Sequence, residues 1–199
     1  FGREVTDIKH HAKGITVLYH ASNENMLLDA ATVESLEADA VVVCGGVGSY
    51  HLANLLGDRV NVYPVKGYSI TLDLNDEHSI KNAPWVSLLD ESSKIVTSRL
   101  GADRLRVAGT AEFNGYNRDI RADRIQPLTD WVNKHFDIST ENAVPWAGLR
   151  PMMPNMMPIV RRGKRERVFY NTGHGHLGWT LSAATAVMIS QQVASQHPV

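Results

Sequence analysis

The sequence predicts a mixed α/β fold in which two kinds of β-sheet share one chain. Residues 40–44, AVVVC, form a continuous apolar run, the pattern of a strand buried on both faces of a parallel sheet. Residues 68–74 instead alternate with period two, and further β-like runs follow across short polar turns, which is typical of an antiparallel sheet. Residues 168–180 predict a strand, a glycine-rich loop and the start of a helix.

The composition is that of a globular protein without a strong charge field. The chain has 199 residues, 43% of them hydrophobic, and a formal net charge of −1, so no general attraction to nucleic acid or an anionic membrane is expected. No apolar run approaches about 18 residues, which predicts no membrane-spanning helix and, by default, a cytoplasmic protein. The single cysteine, Cys44, is predicted to be a buried thiol rather than a nucleophile.

The first part of the chain predicts short strands and one glycine-closed helix. Residues 1–21 indicate a β-hairpin or part of a meander that turns at Lys13-Gly14, and the polar segment 21–37 is expected to contain a short helix. The strand at 40–44 ends at Gly45-Gly46 and precedes a helix near residues 50–56. A buried strand followed by glycines and a helix is the usual arrangement of a ligand crevice in an open α/β sheet.

The remaining elements alternate between sheet and helix. Strands are predicted at 68–74, 85–89, 94–98, 105–113 and 144–151, a hairpin from 158–160 and 168–170, and helices at 123–136 and 179–194. Asp123 is the expected N-cap of the first of these helices, which tolerates Pro127 only near its start. The basic stretch 161–167 is interpreted as a solvated hairpin tip, because it has no interleaved aromatic residues for nucleic-acid stacking.

The loop carrying Gly173, Gly175 and Gly178 is a candidate ligand site. Glycines let the backbone approach a bound group, and the helix that follows directs its unpaired N–H groups and positive dipole end at the loop. Such a junction suits an anionic or electron-rich ligand, while a tight turn without a ligand is the alternative. No complete phosphate-binding motif is present, because His51 stands where the stretch from Gly46 would need its third glycine.

Arg150 is the candidate anion-binding side chain. It lies in the apolar stretch 146–151, where an unpaired charge is costly, so it requires a carboxylate from a ligand or from the protein, such as Glu112. His174 and His176 could suggest a metal, but no third ligand stands at a recognisable spacing. No metal site is therefore predicted.

Several segments together resemble the FAD-dependent D-amino acid oxidase superfamily, most closely the bacterial D-amino acid dehydrogenase small-subunit type. These segments are ADAVVVCGG (38–46), YPVKGYS (63–69), RVAGTAEF (106–113), WAGLRPMMP (146–154), PIV (158–160) and NTGHGHLGWT (171–180). The resemblance covers nearly the whole chain but matches only the C-terminal half of such an enzyme. It implies a partial Rossmann-like FAD domain, residues 1–61 and 145–199, lacking its N-terminal dinucleotide-binding βαβ unit, and an antiparallel substrate domain, residues 62–144.

The resemblance also implies roles for individual residues. Those implied to contact the flavin are Gly45, Gly46, Gly173, Gly175, Gly178, Trp179 and Thr180. Arg150 matches the arginine that holds the substrate carboxylate, and the backbone carbonyl of His176 would face the substrate amine. Tyr68 is either a wall of the substrate pocket or a core residue. Asn155-Met156 departs from the Asp-Gly that the family usually has there, which puts that turn in doubt.

The implied function is the FAD-dependent oxidation of D-amino acids to 2-oxo acids and ammonia, with hydride transfer from the substrate Cα to the flavin. The chain is expected to be inactive unless the N-terminal half completes it, and its expected partners are an N-terminal FAD-domain chain or further copies in a homo-oligomer. A peripheral membrane association through a quinone acceptor is a further implication. One alternative is a truncated, non-catalytic module with an exposed strand edge at 40–44. A glycine or sarcosine oxidase-like enzyme is the other.

Overall fold

The computed structural model describes residues 2–21 and 33–195. The strands are β1 (Arg3–His11), β2 (Gly14–Ala21), β3 (Glu34–Ala38), β4 (Val41–Val43), β5 (Tyr63–Asp73), β6 (Leu89–Asp90), β7 (Ile95–Leu100), β8 (Arg104–Glu112), β9 (Val144–Met152), β10 (Ile159–Arg162) and β11 (Val168–Thr172). The helices are α1 (Ser49–Leu55), α2 (Glu77–Asn82), α3 (Ala122–His135) and α4 (Gly178–Ala194), and a 3₁₀ turn, Gly46–Gly48, precedes α1.

The chain divides into two compact units. Unit 1 combines Phe1–Tyr63 with Pro151–Val199, and unit 2 is the continuous segment Pro64–Arg150. The assignment of residues 1–61 and 145–199 to a partial FAD-binding domain and of residues 62–144 to a substrate domain stays a prediction. Arg150 is the last residue of unit 2, and the glycine loop after β11 belongs to unit 1.

The first sheet of unit 1 contains β1, β2 and β3, all antiparallel and in that order. Ile8 and Ile15 are buried in the core of the unit, whereas most other positions of β1 and β2 are half-buried or exposed. The hairpin at residues 1–21 was predicted correctly. The short helix expected within 21–37 is wrong for the described part, because Glu34–Ala38 pairs with β2 as a strand. Residues 22–32 lie outside the described part.

The second sheet of unit 1 is mixed and has the order β10, β11, β4. Strand β11 is antiparallel to β10, which confirms the predicted hairpin, and parallel to β4. Strand β4 is half-buried at Val41, exposed at Val42 and buried at Val43, so the prediction of burial on both faces is wrong for the described residues. Cys44 is exposed, so the prediction of a buried thiol is wrong: among the described residues, β4 pairs with β11 on one side and with no strand on the other.

Unit 2 is built on an antiparallel sheet with the order β6, β7, β8, β5, β9. Alternate residues of the two central strands, among them Ile70 and Val107, form one face of this sheet and pack with Leu128 and Val132 of α3 in a buried cluster. Only Leu89–Asp90 forms a strand in the predicted run 85–89, and Trp85 is 67% exposed with its ring stacked against the guanidinium of Arg99. Helix α2, capped by the side chain of Asp76, was not predicted.

Helix α3 begins one residue earlier than expected. Arg121 occupies the N-cap position, so Asp123 lies in the first turn, where its charge favours the positive end of the helix dipole. Pro127 lies inside the helix, at a position where its missing N–H removes one backbone hydrogen bond. Burial of Leu128 and Val132 offsets that loss. No helix in the described part of the chain has the length and apolar character needed to cross a membrane.

Candidate functional site

The carboxyl ends of β4 and β11 bring two glycine turns of unit 1 to the same edge of one sheet. The strands are parallel neighbours, with Tyr170 paired to Val43, so the segments that follow them emerge side by side. The hydroxyl groups of Ser49 and Thr172 join these segments through a buried hydrogen bond of 2.7 Å. The Thr172 hydroxyl also lies 3.4 Å from the carbonyl oxygen of Gly46. The arrangement places the turn at Gly45-Gly46 beside the loop before α4.

Helix α4 starts without a side-chain cap. Its N-cap residue, Leu177, makes no capping hydrogen bond, and the first bond of the helix runs from the Leu181 N–H to the Leu177 carbonyl. The N–H groups of Gly178, Trp179 and Thr180 therefore have no acceptor within the helix. Trp179 is 97% exposed and Thr180 is also exposed. These donors could be satisfied by a bound anionic or electron-rich group.

The glycines of the two turns serve different purposes. Gly173 and Gly175 have φ of 78° and 59°, and β-carbons there would approach Met153 and Met152 to 2.6 and 2.8 Å, so backbone conformation and internal packing already require glycine. At Gly178 only a contact of 3.8 Å would arise, with His174 Cβ.

Gly45 and Gly46, the glycines of the turn after β4, also differ in the space around them. A β-carbon at Gly46 would meet nothing within 4 Å, whereas one at Gly45 would meet Leu52 Cδ1 at 3.0 Å. A bound group can thus approach the backbone at Gly46, where space is open, and at Gly178, where the nearest atom lies 3.8 Å from the β-carbon position.

The two histidines of the loop have different surroundings. His174 Nε2 lies 3.1 Å from the Thr185 hydroxyl oxygen, and that hydroxyl donates to the Leu181 carbonyl, so the histidine nitrogen is the donor of the pair. Burial lowers the pKa of His174, which favours its neutral form. His176 is exposed, and the role of its carbonyl stays a prediction. In the described residues no three histidine, cysteine or acidic side chains gather as a metal site.

Arg150 of unit 2 extends from β9 across β5 toward β8. A β-carbon on Gly67 of β5 would lie 2.1 Å from Arg150 Cζ, so the guanidinium occupies the space that a side chain at residue 67 would fill. Its Nη1 lies 3.5 Å from the Thr110 carbonyl oxygen, a weak hydrogen bond. Arg150 is half-buried, and desolvation lowers its pKa. Within the described residues no carboxylate forms an ion pair with Arg150.

Glu112, the internal partner considered for Arg150, is occupied elsewhere. It is buried, its Oε2 lies 3.0 Å from Lys66 Nζ and accepts the Tyr68 hydroxyl hydrogen bond, and its Oε1 lies 2.9 Å from Arg121. The Tyr68 hydrogen bond, followed by that of Lys66, lowers the pKa of Glu112 to about 2. Lys66 also donates to Asn117 Oδ1 and the Asp119 carbonyl, both at 3.0 Å. Glu112 therefore belongs to a structural hydrogen-bond network in which both of its carboxylate oxygens already have partners.

Tyr68 itself is only 1% exposed and belongs to the core cluster of unit 2. Its position agrees with the core alternative rather than with a pocket wall. Sequence reasoning missed the roles of Gly67 and Thr110 beside Arg150. Gly67 could have been identified from the sequence, because a lone glycine inside a strand pattern often marks the close approach of another group. Nothing in the sequence distinguishes Thr110.

Comparison with known proteins identifies the family. Residues 1–192 match the model of the DAO family, described as FAD dependent oxidoreductase. The chain belongs to this family. Among curated relatives of this DAO-family chain, D-amino acid dehydrogenase 3 of Mesorhizobium japonicum is 62% identical over 167 residues, covering 83% of this chain and 40% of the relative. A D-amino acid dehydrogenase of Dechloromonas aromatica is 44% identical over 168 residues, covering 83% and 39%.

Solved structures show the same fold. Glycine oxidase from Geobacillus kaustophilus aligns with a TM-score of 0.78 at 21% identity, covering 97% of this DAO-family chain and 48% of the oxidase. Iminodiacetate oxidase from Chelativorans aligns with a TM-score of 0.76 at 21% identity, covering 99% and 50%. The chain thus spans about 40% of the length of these curated relatives and about half of the solved structures. The expectation of a DAO-type fold matching one part of a longer enzyme is confirmed.

Proposed function

We propose that this chain forms the flavin-binding and substrate-binding C-terminal portion of an enzyme that oxidatively deaminates D-amino acids to 2-oxo acids and ammonia. The observation that carries the proposal is the half-buried Arg150, which has no carboxylate partner among residues 2–21 and 33–195. The names of the curated relatives support D-amino acids as the substrate class.

Arg150 would hold the substrate carboxylate. A desolvated guanidinium gains most from an anion that accepts two parallel hydrogen bonds, and a carboxylate has that geometry. Glu112 cannot serve, because Lys66, Tyr68 and Arg121 already satisfy it. An amino acid carboxylate bound by Arg150 would have its Cα and amine fixed relative to the sheet of unit 2. Orientation of this kind supplies much of the rate enhancement when the reacting group belongs to a cofactor.

The turns of unit 1 fit a flavin. The uncapped start of α4 offers backbone N–H donors and a positive dipole end, and open space lies before Gly46. Gly45, Gly46, Gly178, Trp179 and Thr180 would hold the group at this edge, while Gly173 and Gly175 shape the loop. FAD, when bound, supplies the acceptor for the hydride that leaves the substrate Cα.

The remaining chemistry needs little from the side chains. If the substrate amine arrives neutral, no side chain has to remove a proton from it before the hydride leaves. The imino acid that results hydrolyses to the 2-oxo acid and ammonia.

Two measurements test the proposal on the chain combined with a polypeptide that carries the family's N-terminal segment. We expect the visible absorption of oxidised flavin after reconstitution with FAD and bleaching of that absorption by D-alanine without oxygen. Arg150→Leu should raise the KM for D-alanine about 100-fold, as loss of a charged hydrogen-bonding partner predicts. Arg104→Leu, which removes an exposed arginine from β8, is the matched control and should leave KM unchanged. An unchanged KM in Arg150→Leu would rule out the carboxylate role.

The same assay with glycine and sarcosine tests the oxidase-like alternative. Faster bleaching by either amine than by D-alanine, with oxygen as an efficient acceptor, would favour it. The glycine oxidase similarity supports only the shared fold.

A second candidate is a non-catalytic half that retains flavin only with a complementary polypeptide. The apolar helix α4 leaves Trp179, Val187 and Met188 exposed at 97%, 56% and 49%, and β4 has an open edge among the described residues. Surfaces of this kind usually pack against other protein. A colourless chain that takes up FAD only when mixed with a polypeptide carrying the family's N-terminal segment would favour this candidate. Tight FAD binding by the chain alone would exclude it.

A further inference from the structure

Thr110 occupies an irregular position in the sheet of unit 2. Gly67 pairs with Ala111 and Tyr68 pairs with Gly109, so Thr110 is the extra residue of a β-bulge in β8. Its φ is 52°, in the left-handed region that β-branched residues strongly avoid. Glycine or asparagine would adopt this conformation at lower cost. A threonine held in this conformation is the kind of outlier that occurs at functional positions.

The hydroxyl of Thr110 is also unusual. Its Oγ1 is buried and has no hydrogen-bond partner within the described part of the chain. A buried hydroxyl normally finds an acceptor or donor, because desolvation without a hydrogen bond is costly. The site therefore carries a polar group whose partner is not supplied by the residues described.

Thr110 lies beside the guanidinium of Arg150. Its carbonyl oxygen accepts the 3.5 Å hydrogen bond from Arg150 Nη1, and Gly67 on the intervening strand leaves the path between them free. One residue thus combines a carbonyl that contacts the anion-binding arginine with a hydroxyl that has no partner among residues 2–21 and 33–195. An anion bound to Arg150 would supply acceptor oxygens next to this bulge.

We propose that the Thr110 hydroxyl donates a hydrogen bond to the ligand carboxylate that Arg150 binds. A carboxylate has two oxygens and several acceptor positions, so it can satisfy both the guanidinium and a hydroxyl. Thr110 is then a substrate-contacting residue that selects α-amino carboxylates over amines without the acid group. The identity of the ligand in this inference rests on the proposed function. The choice of Thr110 rests on the β-bulge and on its hydroxyl, which has no partner among the described residues.

The test uses binding to the 199-residue chain rather than turnover. The ¹⁵N–¹H signal of the Arg150 Nε group is followed while D-alanine is added, and D-alaninol, which lacks the carboxylate, is the ligand control. We expect D-alanine to shift the signal in the wild type and in Thr110→Ser with similar Kd. Thr110→Val and Thr110→Gly should weaken Kd about tenfold, the effect of losing one hydrogen bond to a charged group. D-Alaninol should leave the signal in place.

The glycine variant guards against a folding defect. Thr110→Gly removes the hydroxyl and also suits the left-handed backbone, so it should fold even if Thr110→Val does not. Equal D-alanine affinity in the wild type and Thr110→Gly would overturn the inference. Equal effects of D-alanine and D-alaninol would overturn it as well, as would the absence of any D-alanine shift.

The outcome is separable from that of the proposed function. Thr110-dependent binding of D-alanine together with no flavin bleaching would leave this inference standing and reject the oxidation. Bleaching of the flavin absorption by D-alanine, together with equal Kd for D-alanine in the wild type and Thr110→Gly, would support the oxidation and reject the role of Thr110.

Discussion

The guanidinium of Arg150 lies over Gly67, where a β-carbon would come within 2.1 Å of Arg150 Cζ. Gly67→Ala should therefore displace the arginine while leaving its charge intact. We expect the KM for D-alanine in FAD-reconstituted protein to rise at least about tenfold, because the anion-binding group loses its position. Ala111→Ser, at the exposed residue paired with Gly67, is the control and should keep the wild-type KM. Equal KM values in the two variants would show that Arg150 can relocate freely.

Stability at acid pH should depend on Glu112. The pKa of its carboxyl is lowered from 4.5 to about 2, so the stabilisation from the ionised form is complete above 4.5 and disappears as pH falls through about 2. In urea unfolding, Glu112→Gln should be less stable than the wild type at pH 7, and the difference should shrink steadily toward pH 2. A difference that stays constant with pH would mean that Glu112 does not act through its charge.

Met156 takes the left-handed conformation at the turn where the family usually has Asp-Gly. Its φ is 62°, its side chain is 57% exposed, and the Asn155 side chain closes the turn by accepting from the Met157 N–H at 3.1 Å. The turn is thus retained at the cost of backbone strain. Met156→Gly should stabilise the protein by about 0.5 kcal/mol, the difference between relieved strain and added chain entropy.

Met157→Gly is the control for that change, because Met157 is equally exposed at 63% but has an ordinary φ. It should lower the free energy of unfolding by about 0.5 kcal/mol. The urea midpoints of the two variants should lie on opposite sides of the wild-type midpoint, and a shift in the same direction would reject the strain argument.

Asp58 joins distant parts of unit 1. It is 4% exposed and accepts hydrogen bonds from the Tyr170 hydroxyl at 2.9 Å and from the Lys164 N–H at 3.1 Å. Burial and the hydrogen bond to Asp58 raise the pKa of Tyr170. Asp58→Ala should cost about 2 kcal/mol, because the buried Tyr170 hydroxyl and the partly buried Lys164 N–H lose their acceptor. Adding Tyr170→Phe to Asp58→Ala should cost less than Tyr170→Phe does alone. Full additivity would indicate that the two side chains do not interact energetically.

The sequence predicted those parts of the fold that rest on local pattern. Period-two alternation located β5, and the apolar spacing around Leu128 and Val132 located α3. Helix α2 was missed because six residues are too few to show a helical period. Strand β4 was assigned the wrong burial, since an apolar run alone cannot show whether both faces are covered.

Candidate site residues could be predicted where they lie between a strand and a helix, or where a charged side chain stands in an apolar stretch. Gly173, Gly175 and Gly178 follow a strand and precede a helix, and Arg150 stands out in an apolar stretch. The bulge at Thr110 was not predictable, because nothing in that residue type signals a left-handed backbone. Pairing across strands determines that position, and pairing depends on residues more than 40 places earlier in the chain, such as Tyr68 with Gly109.

Unit 2 is one uninterrupted stretch of polypeptide, Pro64–Arg150, whereas unit 1 is assembled from the segments on either side of it. A single genetic exchange between these two points would transfer Gly67, Thr110 and Arg150 together. The turns at Gly45-Gly46 and before α4 would stay with the recipient. Recombination at the boundaries of such an inserted segment offers a direct evolutionary route to new substrate preferences, without rebuilding the edge at which β4 and β11 end.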